Sequence, residues 1–194
     1  MINWSFFNKH NFPEFFEKHF IEVFITYAFA LRLMSNTSTS PLITIASMLI
    51  IGYYSYFIHR LIHKIPKEYN PHTLFHHSKN VNDFWLNLII ETTVNVLFFV
   101  IFYYAKVLFK LKFIPTILVV YYGIIYVSVH VINYSILHLG KNHRNHHLDQ
   151  TQKCNFGPDP LDHLLNSNCN SNYENLLHML PNILVAFLIA EYVK

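Results

Sequence analysis

Fourteen histidines lie along the 194 residues, and eight of them fall into three tight groups. They are His59-Arg-Leu-Ile-His63, His72-Thr-Leu-Phe-His76-His77 and His143-Arg-Asn-His146-His147. Residues three or four apart share one face of a helix. His59 and His63 are therefore neighbours one turn apart, and His143, His146 and His147 share a face in the same way. His72, His76 and His77 spread further, so His76 and His77 can point at different ions. Neutral imidazole suits iron, zinc, copper and nickel. A single helical pair is often just a polar contact between helices; three groups together form a ligand set large enough for two transition metals. Hydrolytic zinc sites usually need three protein ligands and one open position, and magnesium and calcium want oxygen ligands. The surplus of imidazole points to two metals in a redox role.

The elements that must position these groups are apolar. Hydrophobic residues make up 53% of the chain and charged residues 13%, with a mean hydropathy of +0.25. A soluble domain carries about 25% charged residues. Four apolar stretches stand out: Ile21–Met34, Leu42–Ile58, Phe84–Phe109 and Phe113–Leu137. A spanning helix needs about 20 mostly apolar residues. The last two meet that requirement and the second reaches it with its flanks. The first is short enough to lie in the interface instead. A fifth run, Ile183–Val193, is too short to span alone and is expected to pack on the bundle. The expected fold is all-α, an integral membrane helical bundle of about four spanning helices with a histidine-rich cytosolic cap. Its expected division is an N-terminal segment 1–40, a catalytic unit 41–167 and a C-terminal segment 168–194.

Topology brings the groups together. The first two lie between the second and third stretches, and the third follows the fourth stretch. The third and fourth stretches form a hairpin turning near Lys110-Leu-Lys112, so two crossings return the chain to one side. That side carries Arg60, Lys64, Lys67, Lys79, Lys141, Arg144 and Lys153, which assigns it to the cytosol by the positive-inside rule. The implied location is the endoplasmic reticulum in a eukaryote or the inner membrane in a bacterium. A net charge of +3 without basic runs gives no case for nucleic acid. The N-terminus lacks the basic start of a cleavable signal. Cys154 and Cys169 fall on the expected cytosolic face and read as two free thiols, and no Cys-x-x-Cys pair exists for zinc.

At the histidines the chain resembles the fatty acid hydroxylase/sterol desaturase superfamily. The spacing His-x3-His, His-x3-His-His and His-x2-His-His, with a long apolar hairpin before the last group, carries the likeness. The tail supports it: Asn155-Phe-Gly157 and Pro160-Leu-Asp162-His163-Leu-Leu are similar to the run that follows the last group in that family. Leu161 stands where Trp is usual, and Asn166-Ser167 where Gly-Thr is common. The resemblance covers about Tyr53 to Ser167. It implies a membrane di-iron oxygenase acting on a lipid with O2 and outside electrons. It also implies two iron ions held by His59, His63, His72, His76, His77, His143, His146 and His147, with zinc able to occupy the site in purified protein. Such proteins add one or two histidines from the span before the last group, here His130 first and then His138. His163 and Asp162 beside it are expected either to orient a ligand imidazole or to add a ligand. His10, His19 and His178 have no cluster partner and read as surface or interfacial residues.

Glu91 lies inside an apolar stretch, with Asn87 and Asn95 on the same helix face. An intramembrane acid is a functional candidate, and a polar seam between helices is the competing role. The chain has 4 Gly and no haem-attachment or dinucleotide-binding pattern, so electrons are expected from a separate donor, a cytochrome b5-like protein or a ferredoxin with its reductase. A desaturase or carotenoid ring hydroxylase would share this architecture. A metal transporter would place its ligands near the bilayer midplane, whereas these groups sit beyond the ends of the apolar stretches.

Overall fold

The computed structural model describes residues 12–70, 72–76, 84–148, 154–169 and 172–194, with the side chains of Lys67, Phe75, His76, Arg144, His147 and Leu148 excepted. Its described elements are helical. They are α1 (Phe12–Met34), α2 (Pro41–Ile62), a π turn (His72–His76), α3 (Phe84–Leu108), α4 (Thr116–Ser128), a π segment continuing α4 (Val129–Ile136), α5 (Lys141–Leu148), α6 (Asp159–Leu164) and α7 (Leu180–Val193). Short 3-10 turns occupy Lys67–Tyr69 and Leu176–Met179.

Local chemistry sets several boundaries. Ser40 caps α2 by accepting the Ile43 N–H at 3.3 Å, and Pro41 fills the first helical position, where a missing N–H costs nothing. The hairpin between α3 and α4 turns at Lys110, whose φ of 53° is left-handed, and Pro115 precedes α4 in extended backbone.

Four segments are long and apolar enough to cross a membrane: Pro41–Ile62, Phe84–Leu108, Thr116–Ile136 and Leu176–Val193. Their number agrees with expectation, but their membership differs. The last apolar run reaches spanning length because the 3-10 turn at Leu176–Met179 extends α7. α1, at 23 residues, is longer than expected, yet it carries too many charges to count among the four. It packs against α2, α4 and α7. The buried core runs between these helices and α3 through Leu33, Met48, Ile51, Phe99, Leu118 and Ile183. Outward faces remain apolar, as at Leu42 (76% exposed) and Trp85 (70%), which suits a surface solvated by lipid tails rather than water.

Cys154 and Cys169, expected as free thiols, are instead paired, with Cα atoms 5.3 Å apart. The Cys169 N–H donates to Asn155 Oδ1 at 2.9 Å, which draws the two strands of this loop together.

Glu91 is buried and its Oε2 accepts the Ser135 hydroxyl at 2.5 Å. Asn95, one turn along, is also buried on α3. This places the polar face of α3 against the π segment, the geometry of an interhelical seam.

Candidate metal centre

Six histidines from four elements converge at one end of the bundle. α2 contributes His59 and His63 at its C-terminal end, the π turn His72, the π segment His130, and α5 His143 and His146. His59 and His146 have no exposed surface, and His72, His130 and His143 are buried. His59 Nε2 lies 3.1 Å from His72 Nε2 and 3.2 Å from His63 Nε2, and the His63–His72 edge is 3.2 Å. His146 Nε2 lies 3.1 Å from His63 Nε2. On the other flank His143 Nε2 lies 3.0 Å from His130 Nε2. Two triads thus have nitrogens within 4.8 Å of one another, His59–His63–His72 and His59–His130–His143, with His59 common to both.

Three of the rings are turned by their other nitrogen. A carbonyl oxygen can only accept, so the ring nitrogen facing it must donate. His59 Nδ1 donates to Phe156 O at 2.6 Å, His143 Nδ1 to Asn155 O at 3.0 Å and His130 Nδ1 to Tyr126 O at 2.9 Å. The neutral rings therefore carry their lone pairs at Nε2, toward the centre. At 3.0 Å, His130 and His143 set lone pair against lone pair, which is repulsive unless a cation lies among the nitrogens. Burial holds the His63 imidazole down to about 4, so this ring too is neutral near pH 7. Edges of 3.0–3.2 Å are also those of ligand sets whose metal–nitrogen bonds are about 2.0–2.1 Å. The residues fit a metal.

The loop that supplies two of those carbonyls is itself fixed by Asp162. Its Oδ1 accepts Phe156 N–H at 3.0 Å and the Ser167 hydroxyl at 2.7 Å, and its Oδ2 accepts Gly157 N–H at 2.6 Å. Ser167 also meets the Tyr56 hydroxyl at 2.7 Å. Two of the three departures noted in this motif, Asn166 and Ser167, are chemically compatible. Asn166 has a φ of 55°, a left-handed conformation that asparagine tolerates where glycine is common, and Ser167 keeps the hydroxyl of a threonine.

The profile of the fatty acid hydroxylase family matches residues 44–167, well over half of the chain. The chain belongs to the fatty acid hydroxylase family. No curated protein and no solved structure matches it. The matched residues contain all six converging histidines, and also Asp162 and Ser167.

Other expected site residues fall elsewhere. His77 lies outside the described residues, as do the side chains of His76 and His147. His138 is exposed just beyond the π segment, with a φ of 56°, outside both triads. The chain leaves helical geometry before it, so His138 does not continue the face of His130 and Tyr134.

His163, expected to orient a ligand imidazole, faces away from the centre. Its Nε2 is 3.6 Å from Asp159 Oδ2, and its ring packs on Tyr173 at 4.4 Å. His19, expected at the surface, is 1% exposed and meets Asp159 Oδ2 at 2.9 Å. His178 is likewise no surface residue: it is half-buried, with Nδ1 3.0 Å from Asn133 Nδ2. His10 is outside the described residues.

Burial opposes ionisation of Asp159, but hydrogen bonds from His19, Asn142 and the Glu174 amide, with the charge of His163, hold its carboxyl below the usual range. The His19–Asp159 contact joins residues 140 apart. No spacing rule could signal it.

Proposed function

We propose that this chain is a membrane lipid hydroxylase whose histidine centre holds two iron ions and which uses O2 and external electrons to oxidise a lipid C–H bond. The observation that carries this reading is the inward set of Nε2 lone pairs, with His130 and His143 locked in matching tautomers 3.0 Å apart. His59, His63, His72, His130, His143 and His146 would hold the metal from the described residues, with His76, His77 and His147 completing the set. When bound, iron would supply oxygen activation and the oxidising power to break a C–H bond.

The protein's own contribution is orientation and dryness. Carbonyls of Tyr126, Asn155 and Phe156 hold three imidazoles in register, so little rearrangement is needed when metal or substrate arrives. Asp162 holds the two loop carbonyls. Tyr134 packs its ring 4.7 Å from that of His143 and, with Phe156 5.4 Å from His146, walls the centre with apolar surface. Exclusion of water protects a reactive centre from side reactions. The lipid reaches it from the membrane-facing helices.

The basic residues beside the histidines favour a cytosolic face, in the endoplasmic reticulum or a bacterial inner membrane. There a cytochrome b5-like protein, or a ferredoxin with its reductase, could deliver electrons. Residues 41–167 would form the catalytic unit, flanked by 1–40 and 168–194.

The test is to express the chain in hosts with such donors, measure iron in the purified protein and profile host lipids by mass spectrometry. Gain of one oxygen supports hydroxylation, and loss of two hydrogens assigns a desaturase instead. Protein free of iron and zinc, or unchanged lipids across several hosts and donors, would overturn the reading.

A further inference from the structure

A cavity of about 270 Å³ begins at His130 and His143 and runs between α1, α2, α4 and α7. Its lining includes Val23, Leu49 and Tyr53, which are exposed on the outer apolar surface. It therefore connects the histidine centre with the lipid-facing side of the bundle. Nearly all of its wall is apolar, with one carboxyl group in it.

That group is Glu22 of α1. It is 3% exposed, lines the cavity, and neither carboxyl oxygen has a hydrogen-bond partner among the described residues. A buried polar group without a partner is costly, and an ionised one more so. Packing alone does not call for an acid here, since Val23, Thr26 and Tyr27 line the same wall. The acid is also held in place. His19, one turn earlier on α1, bonds to Asp159 Oδ2 at 2.9 Å and so fixes α1 against α6, which also carries Asp162. α1 lies outside the residues matched by the family, 44–167, so this wall of the cavity belongs to the chain's own N-terminal region.

We propose that Glu22 is a specificity-determining residue that accepts a hydrogen bond from the hydroxyl group of a lipid alcohol, whose hydrocarbon part extends along the cavity toward the histidine centre. An O–H donor satisfies a carboxyl oxygen in either protonation state. A hydrocarbon leaves Glu22 without a partner, and a fatty acid sets a second carboxylate beside it. A lipid amine would bury a second charge in an apolar wall. This inference rests on the reading of the chain as a lipid hydroxylase.

The test is competitive binding to the full chain in detergent, with an equimolar mixture of 1-hexadecanol, hexadecane, palmitate and hexadecylamine. Retained lipid is extracted and quantified by mass spectrometry. The wild type should retain about tenfold more 1-hexadecanol than hexadecane, the effect of one buried hydrogen bond to a carboxyl group. Glu22→Leu should bring that ratio to about one, and Glu22→Gln, which keeps an acceptor oxygen, should preserve a clear preference. Equal retention of all four lipids by the wild type would overturn the proposal. So would preference for palmitate or the amine, or an unchanged ratio in Glu22→Leu. The wild-type ranking needs no variant to fold. Binding needs neither iron nor electrons, so a protein lacking metal but keeping the ranking refutes only the oxygenase reading. One with iron and oxygen insertion but no ranking refutes only the role of Glu22.

Discussion

His59 stands in both triads, so its loss should be felt twice. His59→Ala is expected to leave almost no bound iron, whereas His72→Ala and His143→Ala should each retain about one ion per chain, because each removes a ligand from one triad. Metal analysis of the purified proteins checks the order, and equal loss in all three would contradict a shared ligand. Asp162 acts at one remove. Asp162→Asn puts an NH2 group among three donors, frees the loop of Asn155–Gly157, and should weaken metal binding about 10–100-fold. The spacing of His59 and His63 was readable because helical periodicity makes i and i+4 neighbours. The carbonyls that aim the rings were not, since any residue type has one. Asp162 and His163 beside it were both candidates for the orienting role, and it is Asp162 that holds the loop whose carbonyls aim the rings. A side chain's neighbours cannot be read from its adjacency in sequence.

The elements show where periodicity stops being informative. α4 continues without a break into the π segment, which shifts the later residues round the axis and ends before His138. Apolar patterning carries no signature of the extra residue per turn that a π segment inserts. His138 therefore falls off the face of His130, while His130 sits early enough to keep its place. α1 was read as marginal because its apolar stretch is short, and the clasp that holds it joins distant residues. His19→Ala leaves Asp159 buried with one donor fewer, which should cost about 1–3 kcal/mol and lower Tm by several degrees, with bound iron unchanged. A thermal melt and an iron assay on the same sample check both. The pH dependence has a defined sign. Asp159 has a depressed pKa, so its stabilising contribution is present above the unfolded value of about 3.9 and is lost as pH falls through the lower folded value. Wild type and Asp159→Asn should therefore differ in Tm above about pH 5 and converge in acid. A difference that persists in acid would remove the carboxylate from the clasp.

At the scale of the whole molecule, composition was the more dependable guide. Depletion of charge in windows of spanning length was enough to find three of the four apolar helices, since lipid imposes the same demand on every spanning segment. The fourth was missed because a 3-10 turn lengthens α7, and His178, Pro181 and Asn182 interrupt the apolar run at that join. Extraction gives a direct check. Alkaline carbonate washing should leave the chain in the membrane pellet and detergent should release it; release by carbonate would contradict a spanning bundle.

The wide separation of the converging histidines has a consequence for biosynthesis. His63 and His146 touch across 83 residues of chain. At synthesis rates of about 5–20 residues per second, His63 leaves the ribosome several seconds before its partner exists. Through that interval α2 is already in the bilayer carrying an incomplete ligand set. Iron captured early would have only His59 and His63, and later His72, His76 and His77, to hold it. The full centre forms only after the α3–α4 hairpin has inserted and α5 has folded back, so tight metal retention reports that insertion has been completed in the right order.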